Sequence, residues 1–194
     1  MRQDLLQRYA PEFRRALANH RYERTPDGIY FPESKALVNG VFRTRVNDAD
    51  ERIDANVMVY EGLDDILKVY FKQQAQRTAF YVAPFSGNVD PAQTLTALTF
   101  VATQTEFTNY TQSARPSWAS DAEASQAVAN ATTPALFTAD TGGGTVWGAA
   151  LVTVAAKSNT GGILVACSKF GASRALLAGD KLSVEYAIAA ADGT

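Results

Sequence analysis

The sequence predicts a mainly β protein: a β-sandwich body carrying one amphipathic helix, preceded by an N-terminal arm of helical and extended chain. Three observations point to it. After Arg77, five runs rich in Val, Thr, Phe, Tyr and Trp follow one another, separated by Gly, Pro, Asn and Asp, which is the pattern of short strands and turns. One segment, near residues 62–76, keeps its apolar residues at helical spacing. Charge, finally, is divided along the 194 residues: residues 1–45 hold nine Lys/Arg against five Asp/Glu, a net of +4, whereas residues 46–194 hold nine against fifteen, a net of −6. The basic arm is therefore placed at 1–45 and the β-rich body at 46–194.

Each element follows from its local pattern. In the arm, Leu5, Leu6, Tyr9, Phe13 and Leu17 recur at helical spacing, with Arg8, Arg14, Arg15 and Arg21 mostly on other faces, so a short amphipathic helix is expected. Pro11 opens a second helical piece at its first turn. Residues Thr25–Gly40 contain two prolines, an Asp-Gly and an Asn-Gly, which mark turns or extended linker. Val41, Arg43 and Arg45 then alternate along a strand, and Ile53–Gly62 reads as extended chain. In the helix that follows, Leu63, Ile66, Leu67, Tyr70 and Phe71 share one face, while Asp64 and Asp65 near its start and Lys72 and Arg77 near its end suit the helix dipole. Strands are expected within Thr78–Gly87, Ala129–Ala139, Thr145–Lys157, Gly162–Phe170 and Lys181–Ala190. Thr94–Phe107 fits a helix through Leu95, Leu98, Val101 and Ala102, or a strand through its threonines and Phe100.

The totals restrict the function classes. With 46% hydrophobic residues, 20% charged and a net charge of −2, the composition is that of an ordinary globular protein and not of a nucleic-acid coat. Between Thr78 and Ala156 the only basic residue is Arg115, a surface that nucleic acid would not favour. One cysteine, Cys167, excludes an intrachain disulfide, and with one histidine, His20, it cannot complete a Cys/His zinc site. The first residues lack the apolar core of a signal peptide, and no apolar run reaches the ~18 residues needed to cross a bilayer. A protein made in a cytoplasm, without membrane or cofactor, is the expectation.

Several stretches invite a catalytic reading and fail it. Gly162–Asp180 holds Cys167 ahead of Arg174, but six residues separate them where a cysteine phosphatase loop has five, and Ala166 stands where a histidine would lower the thiol pKa. An apolar strand ending at Ser168, Lys169 and Gly171, with Cys167 in the core, accounts for the same residues. His20 lies in the arm, away from any nucleophile in the body. Asp48, Asp50, Glu51 and Asp54 imitate a calcium loop without its glycine or its final glutamate. Asp140–Thr145, with three glycines, lacks the Lys-Ser/Thr of a phosphate loop and reads as a hairpin turn. Tyr110, Arg115 and Trp118 are residue types that anchor interfaces. They form either an aromatic and cationic contact surface, or a packed group with Arg115 paired to Glu106 or Asp121 and Trp118 beneath a loop.

The succession YEGLDDIL, FYVAPFSGNVDP, TEFTNYTQSARPSW, ANATTPALFT, TVWGAALV and KFGASRALLAGDKLSVEY resembles small virion structural proteins of tailed bacteriophages, particularly capsid decoration (cement) and other head-associated proteins. The resemblance runs from about residue 56 to the end and carries no catalytic signature. It implies a jelly-roll-like body, often trimeric, that docks on the major capsid protein, and hence a non-enzymatic protein of the virion. The expected partner contacts are Arg8, Arg14, Arg15, Arg21 and Arg24 of the arm, on an acidic capsid surface, with Tyr110, Arg115 and Trp118 of the body. The alternative is a tail, collar or head-fibre component that binds a receptor or carbohydrate, using Tyr110, Trp118 or Trp147 as a stacking platform.

Overall fold

A computed structural model describes Glu23–Thr25, Gly28–Tyr30 and Lys35–Gly193, with side chains from Val38 to Ala191. The predicted arm helix, with Arg8, Arg14, Arg15, Arg21 and His20, lies outside the described residues. The chain divides into two compact units, the larger being Val38–Ala190. The smaller includes a hairpin of β1 (Glu23–Thr25) and β2 (Gly28–Tyr30), in which Arg24 stands opposite Ile29.

Residues 41–45 belong to the larger unit, so the body begins earlier than the expected residue 46. The reason is the alternation itself. On β3 (Lys35–Val46), Phe42 and Thr44 are fully buried while Val41, Arg43 and Arg45 face outward. The turn after β3 places Asn47 and Asp48 at positive φ and returns the chain antiparallel as β4 (Ala49–Ala55). β5 (Val57–Met58) follows, and later come β6 (Tyr81–Phe85), β7 (Ala127–Ala129), β8 (Ala135–Thr138), β9 (Gly144–Val152), β10 (Leu164–Leu176) and β11 (Lys181–Gly193).

These strands form two sheets. One has the order β4-β3-β11-β7, with β8 also on β11; the other has the order β5-β10-β9-β6. Phe42, Phe137, Leu182, Val184 and Tyr186 of the first sheet pack against Val82, Val146, Ala149, Leu151 and Phe170 of the second. The other face of the second sheet is also buried: Ala83, Phe85, Ala150, Val152 and Cys167 lie in one cluster with Leu95, Ala97 and Phe100. A strand covered on both faces reads as an unbroken apolar run, which is why Val146–Val152 shows no polar alternation. Pro84 is tolerated because β6 is an edge strand.

A short helix covers this outer face. Thr94–Phe107 resolves as a helix, α2 (Ala97–Phe100), started by a Thr96/Thr99 capping box and continued by a π turn over Val101–Thr105. The carbonyls of Gln104 and Thr105 accept from the amides of Gly87 and Ser86, each at 2.8 Å.

The longer helix, α1, spans Tyr60–Phe71, beginning two residues before and ending five residues before the expected 62–76. It stops because Gln73 turns to positive φ, and the amides of Lys72 and Gln74 both return to the Lys68 carbonyl. The first-turn acid is consequently Glu61, not Asp64 or Asp65. Its orientation also corrects the expectation. Gly62 and Asp65 are the buried positions, and Gly62 lies against the Val165 backbone of β10 so closely that no Cβ fits. Ile66, Leu67, Tyr70 and Phe71 face solvent.

Asp140–Thr145 is a turn, with the Asp140 carboxylate accepting from Gly142 and positive φ at Gly143 and Gly144. It is not a hairpin turn: β8 and β9 belong to different sheets, and the turn carries the chain between them. β10 likewise does not end near Gly171. It continues to Leu176 through a register shift between Lys169 and Arg174.

Candidate functional site

The predicted group around Tyr110, Arg115 and Trp118 does come together, but inside the body. The π turn delivers Glu106 to an isolated bridge with Phe85, and there its carboxylate accepts from Arg115 Nε and Nη2 at 2.8 Å each, with both side chains 1% exposed. Arg115 also donates to the carbonyls of Val154 and Asn159, and the Ser158 amide donates to Glu106. A bidentate pair saturated in this way is a clamp. It ties the loop after β9 to the segment between the π turn and Trp118.

Lys157, on that loop, extends the clamp. Its Nζ donates to the carbonyls of Thr108 and Tyr110 and sits 3.6 Å from the centre of the Tyr110 ring. Burial lowers the Lys157 pKa. Burial, followed by the nearby Glu106 charge, pushes the Tyr110 phenol up. Tyr110 is 3% exposed and packs edge-on against Phe137. Neither Tyr110 nor Arg115 is therefore available at the surface as a partner contact. The sequence offered Glu106 and Asp121 as partners for Arg115; Glu106 is the one, and Asp121 instead accepts from the Thr132 amide.

Trp118 is half-buried. Its ring meets Phe80 edge-on, and its Nε1 donates to the Tyr186 carbonyl at 2.9 Å. It lines a shallow cleft of about 410 Å³ with Phe80, Ser117 and Arg77. The cleft's cation is already engaged, because Arg77 makes a forked pair with the buried Asp65. That bond raises the Arg77 pKa and fastens the chain beyond α1 to the helix. Trp147 is half-buried against the outer cluster, beside the strand residues.

The two residues of the supposed phosphate loop lie far apart in function. Both are on β10, seven residues from one another, which along a strand is roughly 20 Å. Cys167 is fully buried, and burial pushes its thiol up, away from a reactive thiolate. Arg174, expected on a loop or interface, is 2% exposed and reaches across to the other sheet. It donates to Thr44 Oγ1 and the Thr44 carbonyl, and to Asp50 at 2.6 Å. Burial, then the neighbouring Arg52, lowers its pKa. The acids of the supposed calcium loop are divided among partners: Asp50 takes Arg174 and Arg52, Glu51 takes Arg43 and Arg45, and Asp54 accepts from the Gly171 amide. Among the described residues no group of three His, Cys, Asp or Glu is placed to hold a metal ion.

Two polar residues had no forecast role. Glu61 Oε2 accepts from the amides of Ala97 and Leu164, at 2.8 and 2.7 Å, joining α1 to α2 and β10. Gln104 is 1% exposed, and its side-chain amide has no partner among the described residues. Neither leaves a signal in sequence, since both depend on segments over thirty positions away or on the extra residue of a π turn. No family model, no curated protein and no solved structure matches this chain.

Proposed function

We propose that this protein is a non-enzymatic structural component of a tailed-phage virion, a capsid decoration protein with a jelly-roll-like body that self-associates and docks on the major capsid protein to stabilise the head. The observation that carries this reading is the division of charge: with the body beginning at Val38, residues 1–37 hold seven Lys/Arg against five Asp/Glu, a net of +2, and residues 38–194 hold eleven against fifteen, a net of −4. The body's buried arginines, Arg115 and Arg174, are engaged with its own carboxylates, so the cationic part of docking is assigned to Arg8, Arg14, Arg15, Arg21 and Arg24. Opposite potentials steer encounter and fix register, and repeated weak contacts over a shell give avidity. Strands that change sheet at β4–β5, β6–β7, β8–β9 and β10–β11 support the jelly-roll-like reading of the body.

The test is co-sedimentation with empty capsids at physiological salt. Wild type should bind saturably, and replacement of the five arm arginines by glutamine should weaken binding by about tenfold or more, with a flatter salt dependence. Unchanged occupancy would remove the arm from docking, and a wild-type protein that ignores capsids would refute the decoration role. The tail, collar or fibre alternative loses one member of its stacking platform, since Tyr110 is buried, while Trp118 and Trp147 are half-buried.

A further inference from the structure

Among the described residues, five of the eleven exposed large hydrophobics lie on the outward face of α1. Tyr60, Leu67, Tyr70 and Phe71 are 53, 53, 80 and 72% exposed, and Ile66 is 38% exposed. Helical spacing gathers them on one side, opposite Gly62 and Asp65. Aromatic and aliphatic side chains at these exposures present on the order of 500 Å² of apolar surface, at the upper end of what one patch on a monomer shows. The strip is as wide as those that other helices bury, and α1 already has its attachment on the far side, through Gly62, Asp65 and Glu61.

The charges beside the strip say what covers it. Asp64 and Lys68 are both exposed and stand one turn apart on the same flank, 3.7 Å from one another, and Lys72 follows at the helix end. The acidic half precedes the basic half. A second α1 laid antiparallel across a two-fold axis near Ile66 and Leu67 sets Asp64 of each copy beside Lys68 of the other, and the helix dipoles then oppose favourably. A strongly basic segment such as residues 1–22 has no such match, because the flank sets two cations, Lys68 and Lys72, against the single anion Asp64. We propose that this face is a self-association surface, on which a second copy of the chain packs its own α1 antiparallel. With its charged rim, the strip approaches the ~800 Å² per partner of a stable interface. The proposal names a surface for the self-association in the proposed function and rests on that part of the reading alone.

Sedimentation equilibrium of the full chain, from about 1 to 100 μM, tests it without capsids, so failure here is separable from failure to dock. Wild type should form dimers. Leu67→Glu should weaken them roughly 100-fold, since two carboxylates enter an apolar contact. Asp64→Lys and Lys68→Asp should each weaken the homodimer by about tenfold. An equimolar mixture of these two variants should recover it, because positions 64 and 68 are then both cationic in one copy and both anionic in the other. All these positions are exposed, and unchanged circular dichroism and thermal midpoint would show that the variants fold. A monomer at the highest concentration would overturn the proposal and assign the face to residues 1–22 or another protein. A trimer or dimer indifferent to Leu67→Glu, or charge variants that do not recover on mixing, would overturn it as well.

Discussion

Arg115 shows how differently one residue reads in sequence and in the fold. As the only basic residue between Thr78 and Ala156, it stands out in sequence as a surface contact, yet it is 3% exposed and saturated by Glu106 and two carbonyls. Removing one member of such a pair strands the other charge in the interior. Arg115→Met should therefore lower stability by about 3–5 kcal/mol, read as the shift of a denaturant midpoint at constant slope. A loss below about 1 kcal/mol, the scale of surface pairs, would mean that the pair is hydrated. Gln104 predicts the opposite sign. Its buried amide has no partner among the described residues, so Gln104→Met, which keeps the length and removes the polar atoms, should stabilise the protein by about 1–3 kcal/mol. Destabilisation would reveal that ordered water satisfies the amide.

At the scale of elements, the strands were the legible part. β6, β8, β9, β10 and β11 all overlap the runs that β-branched and aromatic residues marked, β9 starting one residue before its run. The helix was legible as a helix, but its burial was not. Amphipathic spacing gives two faces and does not say which one meets the core. The decision came from Gly62, the one position where the Val165 backbone can approach. Gly62→Ala should drive α1 away from β10 and cost about 1–3 kcal/mol, with loss of amide protection in Tyr60–Phe71 ahead of the sheets. If protection in α1 were unchanged, the close approach would not be what seats the helix. The strand ends were misread where a local irregularity carries a strand onward: the glycine at 171 suggested an end to β10, but the register shift absorbs it and Arg174 continues the strand into the interior.

At the scale of the molecule, burial of protonated groups fixes the behaviour in alkali. The thiol of Cys167 and the phenols of Tyr110 and Tyr186 are pushed up, each chiefly by burial. From about pH 9 upward the unfolded chain releases these protons while the folded chain retains them. The stability they contribute is thus complete below that pH and lost as pH rises. Lys157, lowered by burial, acts in the other direction, one group against three. The net loss should reach on the order of 2–3 kcal/mol between about pH 7 and 10.5, measured by denaturant titration. A flat profile would show that the two phenols and the thiol reach water in the folded state. On the same scale, the charge division of the chain was readable from the sequence, whereas the body's acidic residues near Arg174 and Arg115 proved to be partners within the fold.

Local composition and period were enough to set a mainly β body, the apolar spacing of its helices, the turns at glycine-rich junctions, the burial of Cys167 and the opposite charges of arm and body. Short-range physics suffices for each of them. Tertiary structure alone decided that α1 turns its apolar side outward, that the Asp140–Thr145 turn joins two sheets, and that Glu106, Arg115, Lys157 and Tyr110 meet in one buried clamp. Each of those outcomes depends on which distant backbone lies against a residue, through the approach at Gly62, the pairing of β8 with β11, and the π turn that aims Glu106 inward. No periodicity within a segment encodes its distant neighbour.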